Sequence, residues 1–91
     1  MKPVKATEVR EFLLQRFQEP LSAKGLSPQS VPDDFDLLTE GVIDSFGILE
    51  MVGSLEEHFG LEIDYEELDP EELTLLGPLC RYVERKSGGG G

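Results

Sequence analysis

The sequence predicts an all-α fold: a small four-helix bundle with three longer helices, one short helix and a long ordered loop between helices one and two. Three observations point there. Apolar residues recur at helical spacing in Val4 to Phe17, Ser45 to Phe59 and Leu75 to Val83. Proline and glycine punctuate the stretch after the first segment, at Pro20, Gly25, Pro28 and Pro32. The chain has 91 residues and 38 % hydrophobic content, enough for one modest core.

In the first helix Val9, Phe12, Leu13 and Phe17 share a face, with Ala6 and Leu14 at its margins. Glu8, Arg10, Glu11, Gln15 and Arg16 fill the other side. Pro3 suits a first turn, and Pro20 disfavours helix at Glu19. The helix is expected from about Pro3 or Thr7 to Gln18.

Leu21 to Ile43 reads as one long connection. Leu26, Val31, Phe35, Leu37, Leu38, Val42 and Ile43 are spread through it, so several should be pinned to the core. A short helical turn is expected around Asp33 to Leu38. The acids at Asp33, Asp34 and Asp36 do not have calcium-loop spacing. From either start, Thr39 or Leu38 stands where a glycine is needed, and Ser45 or Asp44 where a bidentate glutamate is needed.

The third segment is the informative one. On a helix from Ser45 to Phe59, Ile48, Met51, Val52, Leu55 and Phe59 form one arc, the core stripe. A second arc carries Phe46, Leu49, Gly53, Glu50, Glu56 and Glu57. Two readings of that arc stand at this point. Phe46 and Leu49 tuck against the preceding loop, or they anchor a docking surface with an acidic rim. Two readings of the helix start stand as well. Asp44 is the N-cap and leaves the Ser45 hydroxyl free beside the positive helix end, or Ser45 is itself the cap.

Ser45 is not placed for nucleophilic catalysis. His58, the single histidine, is on the same helix, roughly 20 Å away at ~1.5 Å per residue. Ile43 also breaks the nucleophile-elbow pattern. His58 reads as a surface residue near the helix end.

Gly60 is placed to end the helix by the left-handed route. Leu61 and Ile63 in the link point one way, toward the core. Asp69 before Pro70 resembles an N-cap with proline at the first helical position, so a short helix follows. Thr74 is a candidate cap for the last helix, whose Leu76, Leu79, Cys80 and Val83 lie on one stripe. Pro78 is early enough to be tolerated, and Arg81, Arg85 and Lys86 complement the C-terminal dipole. Cys80 reads as a buried small hydrophobe. Residues 1–86 are read as the domain and 87–91 as a flexible Ser/Gly tail, a linker or cloning remnant.

Nineteen acidic and 8 basic residues give a net charge of -11. That opposes binding to nucleic acid or anionic membrane and favours partners with basic patches. The N-terminal stretch has no continuous apolar run, and no stretch is long enough to span a membrane. A cytoplasmic, membrane-free monomer is expected, and a single cysteine permits no internal disulfide.

The run from Asp44-Ser45-Phe46-Gly47 through Leu55-Glu56-Glu57-His58-Phe59-Gly60-Leu61-Glu62-Ile63 resembles the acyl carrier protein family. That family opens a helix with Asp-Ser-Leu, carries an acidic pair later and a Phe near its end. The resemblance implies a non-catalytic carrier. Ser45 would hold covalent 4'-phosphopantetheine, added from coenzyme A by a phosphopantetheinyl transferase, with Asp44 near the transferase's magnesium. Glu50, Glu56 and Glu57 would contact basic partner surfaces, with Phe46, Leu49, Gly53 and Ile43 as neighbours. An acyl- or aminoacyl-activating ligase and downstream acyl-transferring enzymes complete the implied partners. Phe46, Gly47 and Gly53 depart from the common pattern, and Gly41 stands four before the serine. That spacing is closer to discrete aminoacyl carriers such as the D-alanyl carrier proteins, so a specialised or aminoacyl pathway is expected. The competing reading is an acidic interaction module in which Ser45 only caps its helix.

Overall fold

The computed structural model describes residues 4–89. Pro3 and the last two tail glycines lie outside the described residues. Five α-helices follow in order: α1 (Ala6–Arg16), α2 (Gln18–Ala23), α3 (Ser45–Phe59), α4 (Pro70–Thr74) and α5 (Leu76–Glu84). A 3-10 turn covers Pro28–Ser30 and a π-helical turn covers Arg85–Gly89. The all-α architecture is the expected one, with one helix more than the sequence suggested.

That helix is α2. Pro20 does not end helical structure; it occupies the first turn of a second helix, where its missing N–H would have had no partner. The chain bends at Phe17 (φ -102°, ψ 24°), and the Phe17 carbonyl then accepts from the Leu21 N–H at 3.1 Å. Leu21, read as loop, is thereby buried in the core.

The core is one cluster. α1 supplies Val9, Leu13 and Leu14, α3 supplies Met51, Val52 and Leu55, and α5 supplies Leu76, Leu79, Cys80, Tyr82 and Val83. α1 packs chiefly against α5. Truncating a fully buried leucine such as Leu13 to alanine would cost about 2–5 kcal/mol. Ile48 and Phe59 flank the α3 stripe, half-buried.

The loop between α2 and α3 is ordered by pairing with the α4–α5 junction. Leu37 N–H donates to the Thr74 carbonyl (2.9 Å), Leu76 N–H to Phe35 (3.0 Å) and Gly77 N–H to Asp33 (2.8 Å), around an antiparallel bridge between Asp36 and Leu75. No helix forms at Asp33 to Leu38, because the Leu37 N–H and the Asp33 and Phe35 carbonyls are taken across the fold; only isolated turns remain, with the Phe35 N–H donating to the Pro32 carbonyl (3.1 Å) and the Glu40 N–H to the Asp36 carbonyl (2.9 Å). The turn forms earlier instead. Ser27 N–H donates to the Ser30 hydroxyl (2.9 Å), and Ser30 N–H donates to the Ser27 carbonyl (2.9 Å). The same pairing corrects the start of the last helix. Thr74 is buried and ends α4, and Leu75 precedes α5 without a side-chain cap. Of the loop's apolar residues, Val31, Phe35, Leu37 and Ile43 are buried, whereas Leu38 is exposed.

The two chain ends meet. Glu84 Oε2 accepts from the Ala6 N–H (2.9 Å), placing a carboxylate at the positive end of α1. The Ser87 hydroxyl accepts from the Val4 N–H (2.9 Å) and donates to the Glu84 carbonyl (2.9 Å). Ser87, assigned to the tail from sequence, is thus tied to the fold.

Candidate functional site

The site is built by the turn that precedes α3. The Asp36 carboxylate accepts from the Leu38 and Thr39 N–H groups, each at 3.0 Å, which folds the chain back on itself. The Thr39 N–H, first of several bonds, holds the Asp36 carboxyl below its ordinary value of 3.8, against a smaller effect of burial. The Leu37 carbonyl then accepts from both Val42 (2.9 Å) and Ile43 (3.0 Å). Gly41 makes that return possible with φ +78°, a region costly for other residues. The result drives Ile43 inward and leaves Asp44 and Ser45 facing out.

Asp44 has extended backbone (φ -108°, ψ -173°), and its carboxylate Oδ1 accepts from the Gly47 N–H at 2.7 Å. It is the N-cap, and Ser45 is the first residue of α3. The alternative in which Ser45 caps the helix is thereby corrected. Among the described residues no hydrogen bond engages the Ser45 hydroxyl, and the residue is exposed. Gly47 is small for a reason: a Cβ there would stand 3.1 Å from Ile43 Cβ and 3.3 Å from Asp44 Oδ1.

Phe46 is 78 % exposed and Leu49 58 %, so neither tucks against the loop. Glu50, Gly53 and Glu57 are exposed on the same helix. Two expected members of this face also serve the fold. Ile43 is buried in the core, 8 % exposed. Glu56 is half-buried, and its Oε2 accepts from the Ile63 N–H at 2.8 Å, fastening the link after α3. Gly60 ends α3 in left-handed conformation (φ 66°, ψ 45°), as the sequence indicated.

His58 is an exposed residue that stacks on Phe12, with ring centroids 4.3 Å apart. Its place on the α1 side keeps it from Ser45. Cys80 is buried, and burial pushes its thiol up to about 12. Sequence reading overlooked Tyr82. Its ring is buried, its hydroxyl accepts from the Asp64 N–H (3.1 Å) and donates to Glu67 (3.2 Å), and burial raises its pKa. The only signal was its place three after Leu79 on the α5 stripe.

The Ser45 end of α3 can hold an anion or a phosphate ester. Its helical N–H groups and dipole favour negative charge, and the hydroxyl is open to solvent. Among the described residues no helix is long and apolar enough to cross a membrane, and no group of three or more metal-ligating side chains converges.

No protein-family model and no solved structure matches the chain. Curated relatives do. The acyl carrier protein of Thermotoga maritima is 26 % identical over 80 residues, covering 87 % of this chain and 96 % of that one. The acyl carrier protein of Chlamydia trachomatis serovar D is 32 % identical over 62 residues, covering 68 % and 78 %. That of Bdellovibrio bacteriovorus is 34 % identical over 62 residues, covering 68 % and 77 %. Joined to an Asp-capped acidic helix on an all-α frame, similarity across more than three quarters of those two proteins means that this chain belongs to the acyl carrier protein family.

Proposed function

We propose that the protein carries an acyl or aminoacyl group on a 4'-phosphopantetheine arm attached to Ser45, and passes it between partner enzymes. The observation that carries this reading is the open Ser45 hydroxyl, left without a partner because Asp44 caps the helix. When attached, the arm supplies a flexible tether ending in a thiol that holds the group as a thioester.

The chain's own residues hold and present. Ser45 is the point of attachment, and the N-terminus of α3 offers its N–H groups and dipole to the phosphate. Asp44 fixes the helix start and keeps one carboxylate oxygen beyond the Gly47 bond, available toward the transferase's magnesium. Phe46 and Leu49 give apolar anchors, and Glu50 and Glu57 give an acidic rim for basic partners. The chain does no chemistry on the group. Ser45 and His58 are roughly 20 Å apart along α3 at ~1.5 Å per residue, so they form no nucleophile–base pair. Its own thiol, on Cys80, is buried and protonated.

The proposed partners are a phosphopantetheinyl transferase, an acyl- or aminoacyl-activating ligase and acyl-transferring enzymes, met by a cytoplasmic monomer. A specialised or aminoacyl pathway is supported by Gly41, four residues before Ser45, and by Phe46, Gly47 and Gly53 in place of the commoner residues. The carrier domain is drawn through Ser87, with the glycines after it as a linker. Incubation with coenzyme A, magnesium and a broad-specificity transferase tests the reading: one arm per chain is expected by intact mass, and none on well-folded protein with several transferases overturns it.

A further inference from the structure

We propose that Gly47 is a positioning residue for the loading of Ser45: by placing no side chain between Ile43 and Asp44, it gives the cap of α3 to Asp44 and keeps the Ser45 hydroxyl out of that bond. This rests on the proposed attachment at Ser45. Gly25, Gly41 and Gly60 hold left-handed backbone, and Gly47 is not among them. It is the third residue of α3, half-buried, in ordinary helix. What it contributes is room. A Cβ there would stand 3.1 Å from Ile43 Cβ, 3.5 Å from Ile43 Cγ2 and 3.3 Å from Asp44 Oδ1.

The two neighbours differ in how far they can yield. Ile43 is buried in the core, and its N–H is held by the Leu37 carbonyl at 3.0 Å. Its β-branched side chain, packed on all sides, has little rotamer freedom with which to withdraw. Asp44 is exposed, and its carboxylate is fastened by the 2.7 Å bond from the Gly47 N–H. A side chain at position 47 therefore presses on a fixed wall and moves the carboxylate. The next residue is ready to replace it, because serine and aspartate cap helices about equally well. From one position on, Ser45 Oγ would accept the Ile48 N–H, which now donates to the Asp44 carbonyl at 3.0 Å. In that shifted frame the helix begins one residue later, and the attachment oxygen turns into the helix end. Two frames thus compete for one hydroxyl, and Gly47 with Ile43 sets the balance.

Transfer from coenzyme A by a broad-specificity transferase, with magnesium, is measured against carrier concentration for wild type and Gly47→Ala. Melting temperatures are taken for both chains and for each combined with Ser45→Ala. In Gly47→Ala most folded chains present a capped serine, which docks without reacting, so kcat is expected to fall about fivefold with KM unchanged. The same population shift is expected in the melts: Ser45→Ala lowers the wild type by less than about 3 °C, and Gly47→Ala by about 4–8 °C, the loss of a working cap. Wild-type kcat in Gly47→Ala, with Ser45→Ala equally mild in both backgrounds, overturns the role of Gly47 and leaves attachment at Ser45 intact. A raised KM at full kcat reports lost folded protein, since the carrier is the substrate, and overturns it too. So does a Gly47→Ala chain that does not fold, because the Ser45 cap should have held the helix. A wild type that is folded but never loaded overturns the reading of Ser45, while the melts still decide the competition between caps.

Discussion

The Asp44 carboxylate holds the Gly47 N–H at 2.7 Å, and that one bond decides what Ser45 is free to do. Removing it should separate capping from attachment. Asp44→Ala is expected to lose about 1 kcal/mol of stability. Asp44→Asn, which keeps an acceptor, should stay within a few tenths. Ser45→Ala should change stability by less than about 0.5 kcal/mol, as for a surface residue without a structural bond. Urea unfolding of the three variants checks this; a Ser45→Ala loss as large as that of Asp44→Ala would restore serine as the cap.

The acidic residues of α3 should divide into two kinds. Glu50→Lys with Glu57→Lys is expected to slow transfer by basic partner enzymes at low salt while leaving the melting temperature near wild type. Glu56→Ala should instead destabilise by about 1–3 kcal/mol, because the half-buried Ile63 N–H loses its charged acceptor. Equal stability of Glu56→Ala and wild type would show that the bond contributes nothing.

Much of this was legible in the sequence because helical periodicity is local. The bounds of α3, the Gly60 terminus and the buried face of Met51, Val52 and Leu55 follow from residues within a few turns of one another, whereas the choice of Asp44 over Ser45 as cap needed the Asp44–Gly47 bond. What escaped depends on distant partners. The Asp36–Leu75 bridge displaced an expected helical turn and moved the cap position of α5 from Thr74 to Leu75. Pro20 misled because a first-turn proline and a helix-ending proline look alike until Phe17 is seen to bend the chain. At the site, alternation around the helix placed Glu56 with Glu57, yet only the fold brings the Ile63 N–H to one of them. Ile43 adjoins Asp44 in sequence, but the Leu37 carbonyl turns it into the core.

Acid should weaken the turn that aims α3. The folded Asp36 carboxyl titrates below 3.8, so the unfolded chain takes up the proton first as pH falls. The stabilisation is fully present above that value and is lost as pH drops through the lower folded value. Asp36→Asn keeps an acceptor but cannot titrate. Melting curves from pH 6 to pH 2 should show wild type losing its advantage over Asp36→Asn on the acid side, with a constant difference above about pH 5. A difference that does not change with pH would contradict the role given to Asp36.

Cys80 should be inert while the protein is folded. Its thiol is buried and pushed up to about 12, so thiolate is scarce at neutral pH. Iodoacetamide is expected to label it only after denaturant is added, and Cys80→Ala should load as well as wild type. Rapid labelling of the native chain would contradict the burial.

The central claim is that Ser45 is a tether. The most direct measurement is intact mass of wild type and Ser45→Ala after incubation with coenzyme A, magnesium and a transferase, both shown folded by circular dichroism. One phosphopantetheine on wild type and none on Ser45→Ala is the expected result. An arm retained in Ser45→Ala, or absent from folded wild type with every transferase tried, would contradict it.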